Sequence, residues 1–480
     1  MKPGQAVDLV HAPIAHWAQV RGDASAIRCG EQSLSFAQLQ RDLSLRAAAL
    51  MDSQAPATVL IDGSLCAIER LVDFLGIIAS GRCAAVGDPD WPLAVRQKVL
   101  AALPMGPTAP ISAPLPDSPF YVGYTSGSSG TPKGYRRHHR SWSESFRACL
   151  QAFGADAGSC ILAPGRDSHS LFLFGMLLGL WSGGGVELQE HFSAGATLGI
   201  LRSARTPCLI AVPSQLLMLL EAASRQNARP IEALRLILVS GSRWMRKRTP
   251  ELRTLFPRAR IIEFYGASET SFIAWMDTDE QAPDNVVGRP FANVQLRIDA
   301  HDPVNGAGLI YVRSPMLFMD YVGGAGDATA ALRDGDWLSV RDLGSLDSQG
   351  RLILAGRQNR MLVTLGKNLF PEEVEAVLER HPAIAAASVQ GIADPLRGLQ
   401  LVALLRWAPD CSDVRPDALA LKAWCRLHLE GFKTPRIFLL CTCWCWTASG
   451  KTDHLALACK LLPEGDASNA IETACLSALP

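Results

Sequence analysis

The chain reads as an α/β protein: a large N-terminal domain of layered, parallel-rich sheets with a barrel-like subdomain, followed by a small mobile α+β domain. Three observations carry this reading. Short apolar, β-branched runs alternate with segments of helical period, the pattern of parallel sheets covered by helices. Between residues 285 and 321 the helical segments stop and Val294, Leu296 and Ile298 alternate in phase, which suits antiparallel or barrel-like strands. After Arg357 the chain becomes a compact strand-and-helix unit, so residues 1–358 are read as one domain and 359–480 as the other.

The elements follow in order. Strands are predicted at residues 25–28 and 34–36, a helix at 37–51, a strand at 58–62, a helix at 66–80 and a strand at 83–87. Residues 104–116, rich in Pro and Ala, form a connector. Residues 119–124 are apolar and aromatic and predict a strand that delivers the chain to a Gly/Ser-rich loop. Further strands are predicted at 209–212, 235–239, 261–264 and 309–312. Two of them end at small polar turns, Ser240-Gly241-Ser242 and Tyr265-Gly266-Ala267-Ser268-Glu269. Ligands of open α/β sheets sit beyond the carboxyl ends of strands, so these turns are natural neighbours of the Gly-rich loop. In the second domain a helix opened by Pro371-Glu372-Glu373 runs to Arg380, strands lie near 387–389 and 401–405, and a second helix covers 416–429.

Composition bounds the function. The chain has 480 residues, is 48% hydrophobic and carries zero formal net charge. It can bury large cores, and the whole-chain charge gives no argument for nucleic acid or an anionic membrane as partner. The basic runs at residues 135–140 and around Arg243, Arg246, Lys247 and Arg248 read as solvated faces. The most apolar run, residues 171–181, is too short to span a bilayer. The opening Met1-Lys2-Pro3-Gly4 does not read as a secretory leader, and thirteen cysteines without a CxxC pair predict free thiols in a reducing cytoplasm. Cys441, Cys443 and Cys445 alternate, so a strand there would put all three thiols on one face.

The chemistry is concentrated in a few strings. Thr125-Ser126-Gly127-Ser128-Ser129-Gly130-Thr131-Pro132-Lys133 combines glycines, hydroxyls and an ammonium, a composition that holds phosphate. It lacks the Walker spacing of Gly, four residues, then Gly-Lys-Ser/Thr. In the 265–270 turn an aromatic ring can stack on a base, a hydroxyl can meet a phosphate, and Glu269 offers the oxygen ligand that Mg²⁺ prefers. Asp342 follows a short strand and can accept hydrogen bonds from two vicinal hydroxyls. Arg357 is a permanent, bidentate cation.

Taken in order, these strings resemble the adenylate-forming superfamily of acyl-CoA synthetases, adenylation domains and luciferases, across residues 120–451. The resemblance implies that Thr125–Lys133 grips the phosphates of ATP, with Thr125 and Glu269 at Mg²⁺. It places Tyr265, Gly266, Ala267 and Ser268 beside AMP, Asp342 on the ribose, and Arg357 on ribose or phosphate. Ser240-Gly241-Ser242 would floor the adenine and acyl sites, and His169 would sit in the acyl-pocket motif. Asn359 would be the hinge, Gly366-Lys367 the loop swung in for thioester formation, and Lys451 the lysine that bridges carboxylate and phosphate. Two positions depart from the family pattern: Arg341 stands where a Gly is usual, and Cys445 where a Pro is usual.

The implied reaction is ATP-dependent activation of a carboxylic acid as acyl-AMP, followed by thioester formation. The chain looks like standalone bacterial ligases of aryl polyene and polyketide clusters, which implies a hydroxybenzoate-type acid and the phosphopantetheine arm of a discrete acyl carrier protein as acceptor. Free CoA is the alternative acceptor. An amino-acid-adenylating enzyme, with Asp167 on the ammonium, and a non-catalytic nucleotide-binding homologue are the remaining readings. Monomer and homodimer are both compatible with the sequence.

Overall fold

Strands that are buried along their whole length must be covered on both faces, and Cys208–Ala211 and Leu236–Val239 are such strands. In the computed structural model, which describes residues 8–104, 113–125, 132–300, 307–323, 329–364, 367–394, 398–408, 415–447, 450–461 and 475–479, they lie at the centre of a parallel array. Its order is Ser25–Cys29, Val186–Leu188, Ile161–Ala163, Cys208–Ala211, Leu236–Val239 and Arg260–Ala267. The array then turns antiparallel through Ser271–Asp277, Val286–Pro290, Leu352–Arg357, Asp342–Leu346 and Gly308–Arg313, where the alternating pattern predicts a barrel-like subdomain. The two regions form one continuous sheet.

A second sheet runs Thr58–Leu60, Cys83–Ala85, Pro119–Thr125 in parallel, then Lys133–His138 and Asp320–Tyr321 antiparallel. The strands on either side of the Gly/Ser-rich segment pair antiparallel, with Thr125 opposite Lys133. Its six central residues, Ser126 to Thr131, lie outside the described residues.

The apolar run is a core helix, Ser170–Ser182, buried continuously from Leu171 to Leu180. A helix that is apolar all round has no periodicity to betray it, which is why the sequence pattern does not mark it. Among the described residues no helix is long and apolar enough to cross a membrane. The amino-terminal segment is tied to this core over a long distance: Trp17 Nε1 donates to Trp181 O at 3.0 Å, and Val10 N donates to His139 Nδ1 at 3.2 Å.

The basic runs are not uniformly solvated. On the strand Lys133–His138 alternate residues point inward, leaving Arg137 1% exposed. Arg246, 3% exposed, forks onto Glu263 at 2.9 and 3.1 Å.

In the small C-terminal unit, Pro371–Glu379 opens with Pro at its first turn beside Glu372 and Glu373, both favourable at a helix N-terminus. It packs on a long hairpin, Ile384–Asp394 with Gly398–Trp407, of which the expected strands are the central parts. Ile437–Cys441 adds in parallel and Leu476–Ala478 antiparallel. Cys441 pairs with Leu476, so the chain that turns after Cys441 meets Cys475, and Cys443 and Cys475 form a disulfide with Cα atoms 5.5 Å apart. This corrects two expectations: the thiols are not all free, and the strand ends at Cys441, so the three cysteines do not share one strand face.

Candidate active site

The strand Leu236–Val239 ends at Ser240, whose hydroxyl donates to Phe264 O at 2.8 Å. Gly241 follows at φ +95°, a left-handed conformation that favours glycine, and a Cβ there would come within 3.0 Å of Val212. The next strand, Arg260–Ala267, folds back into Ser271–Asp277 so tightly that a Cβ on Gly266 would overlap the Ser271 carbonyl. This turn sends Glu269 into a cleft of about 2480 Å³ between the large N-terminal part and the small C-terminal unit. Arg137 staples the turn on both sides of Glu269, donating to Ser268 O and Ser271 Oγ, each at 2.6 Å, and to Met316 O at 2.6 Å.

Glu269 Oε1 accepts from the Tyr321 hydroxyl at 2.7 Å, and Phe318 N donates to Glu269 O at 2.7 Å. The Lys133 ammonium stands 3.3 Å from the centroid of the Tyr321 ring. Burial pulls the Lys133 pKa below its ordinary value, and Glu269 opposes that shift.

Asp342 is 5% exposed and accepts from the Tyr265 hydroxyl and from Arg357 Nε, the latter at 3.0 Å. Strand register makes the second contact, since Asp342 lies directly opposite Arg357. Burial, then Asp342, push the Tyr265 phenol well up. Lys451 comes from the other side of the cleft. Its backbone is fixed by Thr447, which gives N–H to Lys451 O at 2.8 Å and accepts Lys451 N on its hydroxyl at 3.1 Å, with Gly450 at φ +75° in the turn.

The small unit is held closed by Arg243 on Glu379 at 2.6 Å, Arg380 on Asp284 at 2.9 Å and Lys247 Nζ on Glu379 O at 2.5 Å. Closure carries the Lys451 side chain to the Gly241 turn, within 3.8 Å of where a Cβ would stand. The side chain stays open to the cleft, yet the surrounding walls strip bulk water from it. That desolvation, then Arg357, pull its pKa down to about 8, against Asp342 and Glu269.

His169 caps the core helix, its Nδ1 accepting from Leu171 N at 3.3 Å. Burial, then Lys451, pull its pKa down to about 3, so it is neutral and carries its proton on Nε2. Beyond it the cleft opens into an aromatic chamber. Trp142 lies 5.8 Å from Phe174, Phe174 4.8 Å from Phe272, and Phe264 4.9 Å from Phe272, centroid to centroid. The chamber has one polar corner, where the Tyr135 hydroxyl meets Tyr121 at 3.1 Å close to Ser170 and Ser268. Asp167 does not face the cleft, because Arg70 holds both of its oxygens at 3.0 Å in a buried ion pair.

The structure thus brings together Thr125, the Ser240–Ser242 turn, residues 265–269, Asp342, Arg357, His169 and Lys451 on one cleft. The hairpin of Leu362–Thr364 and Lys367–Leu369 gives Leu369 to the cleft wall and rests on the small unit through Thr364 Oγ1, which donates to Leu399 O at 2.7 Å. Gly366 lies outside the described residues. Asn359 sits in the single turn Gln358–Arg360 between the two parts. Sequence reasoning missed Tyr321, Arg137 and Trp142; only the inward phase of residues 135 and 137 on a strand could have pointed to Arg137.

The residues present fit Mg²⁺. Glu269 Oε2 has no protein partner among the described residues, and no group of three or more His, Cys, Asp or Glu among them could form an all-protein cage. A hard cation held by one or two protein oxygens and completed by phosphate and water has this appearance.

Cations and a carboxylate with one oxygen unpartnered among the described residues at one end, and an apolar aromatic chamber at the other, suit the joining of a nucleotide phosphate to an organic acid, the class of the adenylate-forming enzymes. The family model described as AMP-binding enzyme matches residues 55–322, and that of the AMP-binding enzyme C-terminal domain matches 373–451. The chain belongs to this family, and it stands among the AMP-forming acid–thiol ligases.

An uncharacterized acyl–CoA ligase of Bacillus subtilis, YhfT, is 33% identical over 370 residues, 76% of this chain and 73% of that protein. A putative long chain fatty acid–CoA ligase of Staphylococcus aureus, VraA, is 31% identical over 334 residues, 69% of each chain. Among solved structures, the o-succinylbenzoate CoA synthetase of Bacillus subtilis bound to its acyl-adenylate superposes with a TM-score of 0.80 at 22% identity, covering 94% of this chain and 98% of the other.

Proposed function

We propose that the protein activates a small aryl carboxylic acid with ATP and transfers the acyl group to the thiol of CoA. One observation carries the reading: Lys451, delivered by the small unit to the Gly241 turn, lines one cleft with Asp342, Arg357 and Glu269 beside an aromatic chamber. In the first half-reaction a carboxylate oxygen bonds to the α-phosphorus while the α–β bridging bond breaks and pyrophosphate leaves. Lys451 bridges the carboxylate and the phosphate, neutralising charge as it builds. Lys133 and the Gly/Ser-rich segment before it hold the departing phosphates, Asp342 takes the ribose hydroxyls, and Tyr265 lies against the base. Mg²⁺ at Glu269, with the Thr125 hydroxyl beside it, would supply further positive charge against the phosphate oxygens.

In the second half-reaction the unit beginning at residue 359 rotates about Asn359 and brings Gly366-Lys367 to the cleft. The thiol sulfur bonds to the acyl carbon, the bond to AMP breaks, and the thiol proton passes to solvent. The aromatic chamber favours an aryl acid, and its corner of hydroxyls at Tyr135, Ser170 and Ser268 favours a ring hydroxyl, as in a hydroxybenzoate. Asp167, spent on Arg70, is not free to hold a substrate ammonium, which disfavours an amino acid.

The names of the relatives support CoA ahead of a carrier protein as acceptor. The test is pyrophosphate exchange over aryl, fatty and amino acids, then mass spectrometry of products formed with CoA or a holo carrier protein. Exchange with fatty acids alone would overturn the aryl assignment, and acylation of the carrier alone would overturn CoA.

A further inference from the structure

We propose that Tyr321 is a positioning residue of the phosphate end of the site, a spacer that keeps Lys133 and Glu269 from pairing with each other, so that both stay available to magnesium-bound ATP. The inference rests on the reading that these two residues serve the phosphates and the metal.

The phenol is engaged on two sides. Its hydroxyl donates to Glu269 Oε1 at 2.7 Å, and the Lys133 ammonium lies 3.3 Å from its ring centroid. Lys133 and Glu269 carry opposite charges and sense each other, yet the ammonium sits over the Tyr321 ring and the carboxylate takes the Tyr321 hydroxyl. The ring gives the ammonium an electron-rich face in place of the carboxylate, and the hydroxyl gives the carboxylate a neutral donor in place of the ammonium. A direct ion pair in this half-buried place would have to be broken before either group could take a phosphate or a metal.

The chain fixes the phenol from both neighbours. Asp320–Tyr321 pairs antiparallel with Lys133–His138, the strand that carries Lys133, and places Tyr321 opposite Tyr135. Asp320 locks that register by a fork with Arg136 at 2.9 and 2.6 Å. Phe318 packs edge-on to the Tyr321 ring at 5.0 Å, and its N–H holds the Glu269 carbonyl at 2.7 Å. One short segment therefore sets the phenol against the lysine strand and the carboxylate turn together.

Two variants separate the two contacts. Tyr321→Phe keeps the ring and loses the hydroxyl; Tyr321→Leu loses both. Binding of ATP with and without Mg²⁺, and of AMP, is measured by calorimetry on the full-length protein. Tyr321→Phe should raise the Kd for ATP with Mg²⁺ about 3–10-fold and raise the Mg²⁺ needed for half-saturation, as expected for loss of one hydrogen bond to a charged group. Tyr321→Leu should do more. AMP, which has no β- or γ-phosphate, should bind within about twofold of wild type, and the KM for the acid in pyrophosphate exchange should hold.

A Tyr321→Phe enzyme that matches wild type in ATP and Mg²⁺ binding overturns the proposal. So does a parallel loss of AMP and ATP affinity, which would make Tyr321 a prop for the fold. A wild-type enzyme whose ATP affinity ignores Mg²⁺ would sink the functional reading of this end of the cleft, and the proposal with it.

Discussion

Lys451 sits where a small change in protonation has a large effect. Its pKa of about 8 means that the charged form prevails below that pH and is lost above it. Only the ammonium can bridge two anions, so kcat/KM for adenylation by the free enzyme should fall as pH rises through about 8. Lys451→Arg should move that alkaline limb upward, because guanidinium does not titrate there. Lys451→Ala should cut pyrophosphate exchange by roughly 10²–10³-fold, the usual effect of removing one transition-state charge partner, while thioester formation from supplied acyl-AMP persists. Arg341 adopts φ +64°, where an L-residue is strained. Arg341→Gly should stabilise the protein by about 0.5–1 kcal/mol in denaturant titrations, the relief of strain being partly offset by a more flexible unfolded chain. Asp342, Glu269 and Lys451 are legible in the sequence because each sits in a local string with its own chemistry. Tyr321 is not, because its meaning comes from Glu269, a partner 52 residues away in a turn of another strand pair.

At the level of elements, the buried Arg70–Asp167 pair fastens the helix Ala67–Ala79 to the turn that carries His169. Arg70→Met would strand a carboxylate in the interior and should cost about 3–5 kcal/mol in denaturant unfolding. Adding Asp167→Asn should recover a part of that loss, since the stranded charge is removed. The parallel strands Cys208–Ala211, Leu236–Val239 and Arg260–Ala267 were readable from short apolar runs and the helix Pro371–Glu379 from its Pro-Glu-Glu start, whereas the three-residue strands Ile161–Ala163 and Val186–Leu188 are too short to show a pattern. The helix Ser170–Ser182 was not, having no polar face, and neither was the Cys443–Cys475 bond, which depends on a strand pairing near the carboxyl end.

At the level of the whole molecule, the closed arrangement rests on a few charged contacts, Arg243 with Glu379 and Arg380 with Asp284, each between partly exposed groups. Such pairs contribute little singly, which suits the rotation proposed for the second half-reaction. Asn359→Pro should stiffen the turn between the two parts: pyrophosphate exchange should persist while thioester release, followed by mass spectrometry, falls by an order of magnitude or more.

The outer end of the parallel array has a consequence for biosynthesis. Ser25–Cys29 pairs with Val186–Leu188, and Trp17 waits for Trp181, 164 positions later. At roughly 5–20 residues per second, Ser25–Cys29 has its hairpin partner Gln32–Ser35 at once but waits roughly 10–30 s for Val186–Leu188. Nascent chains stalled before residue 188 should therefore be cut readily by protease between residues 13 and 35, and those stalled well beyond it should resist.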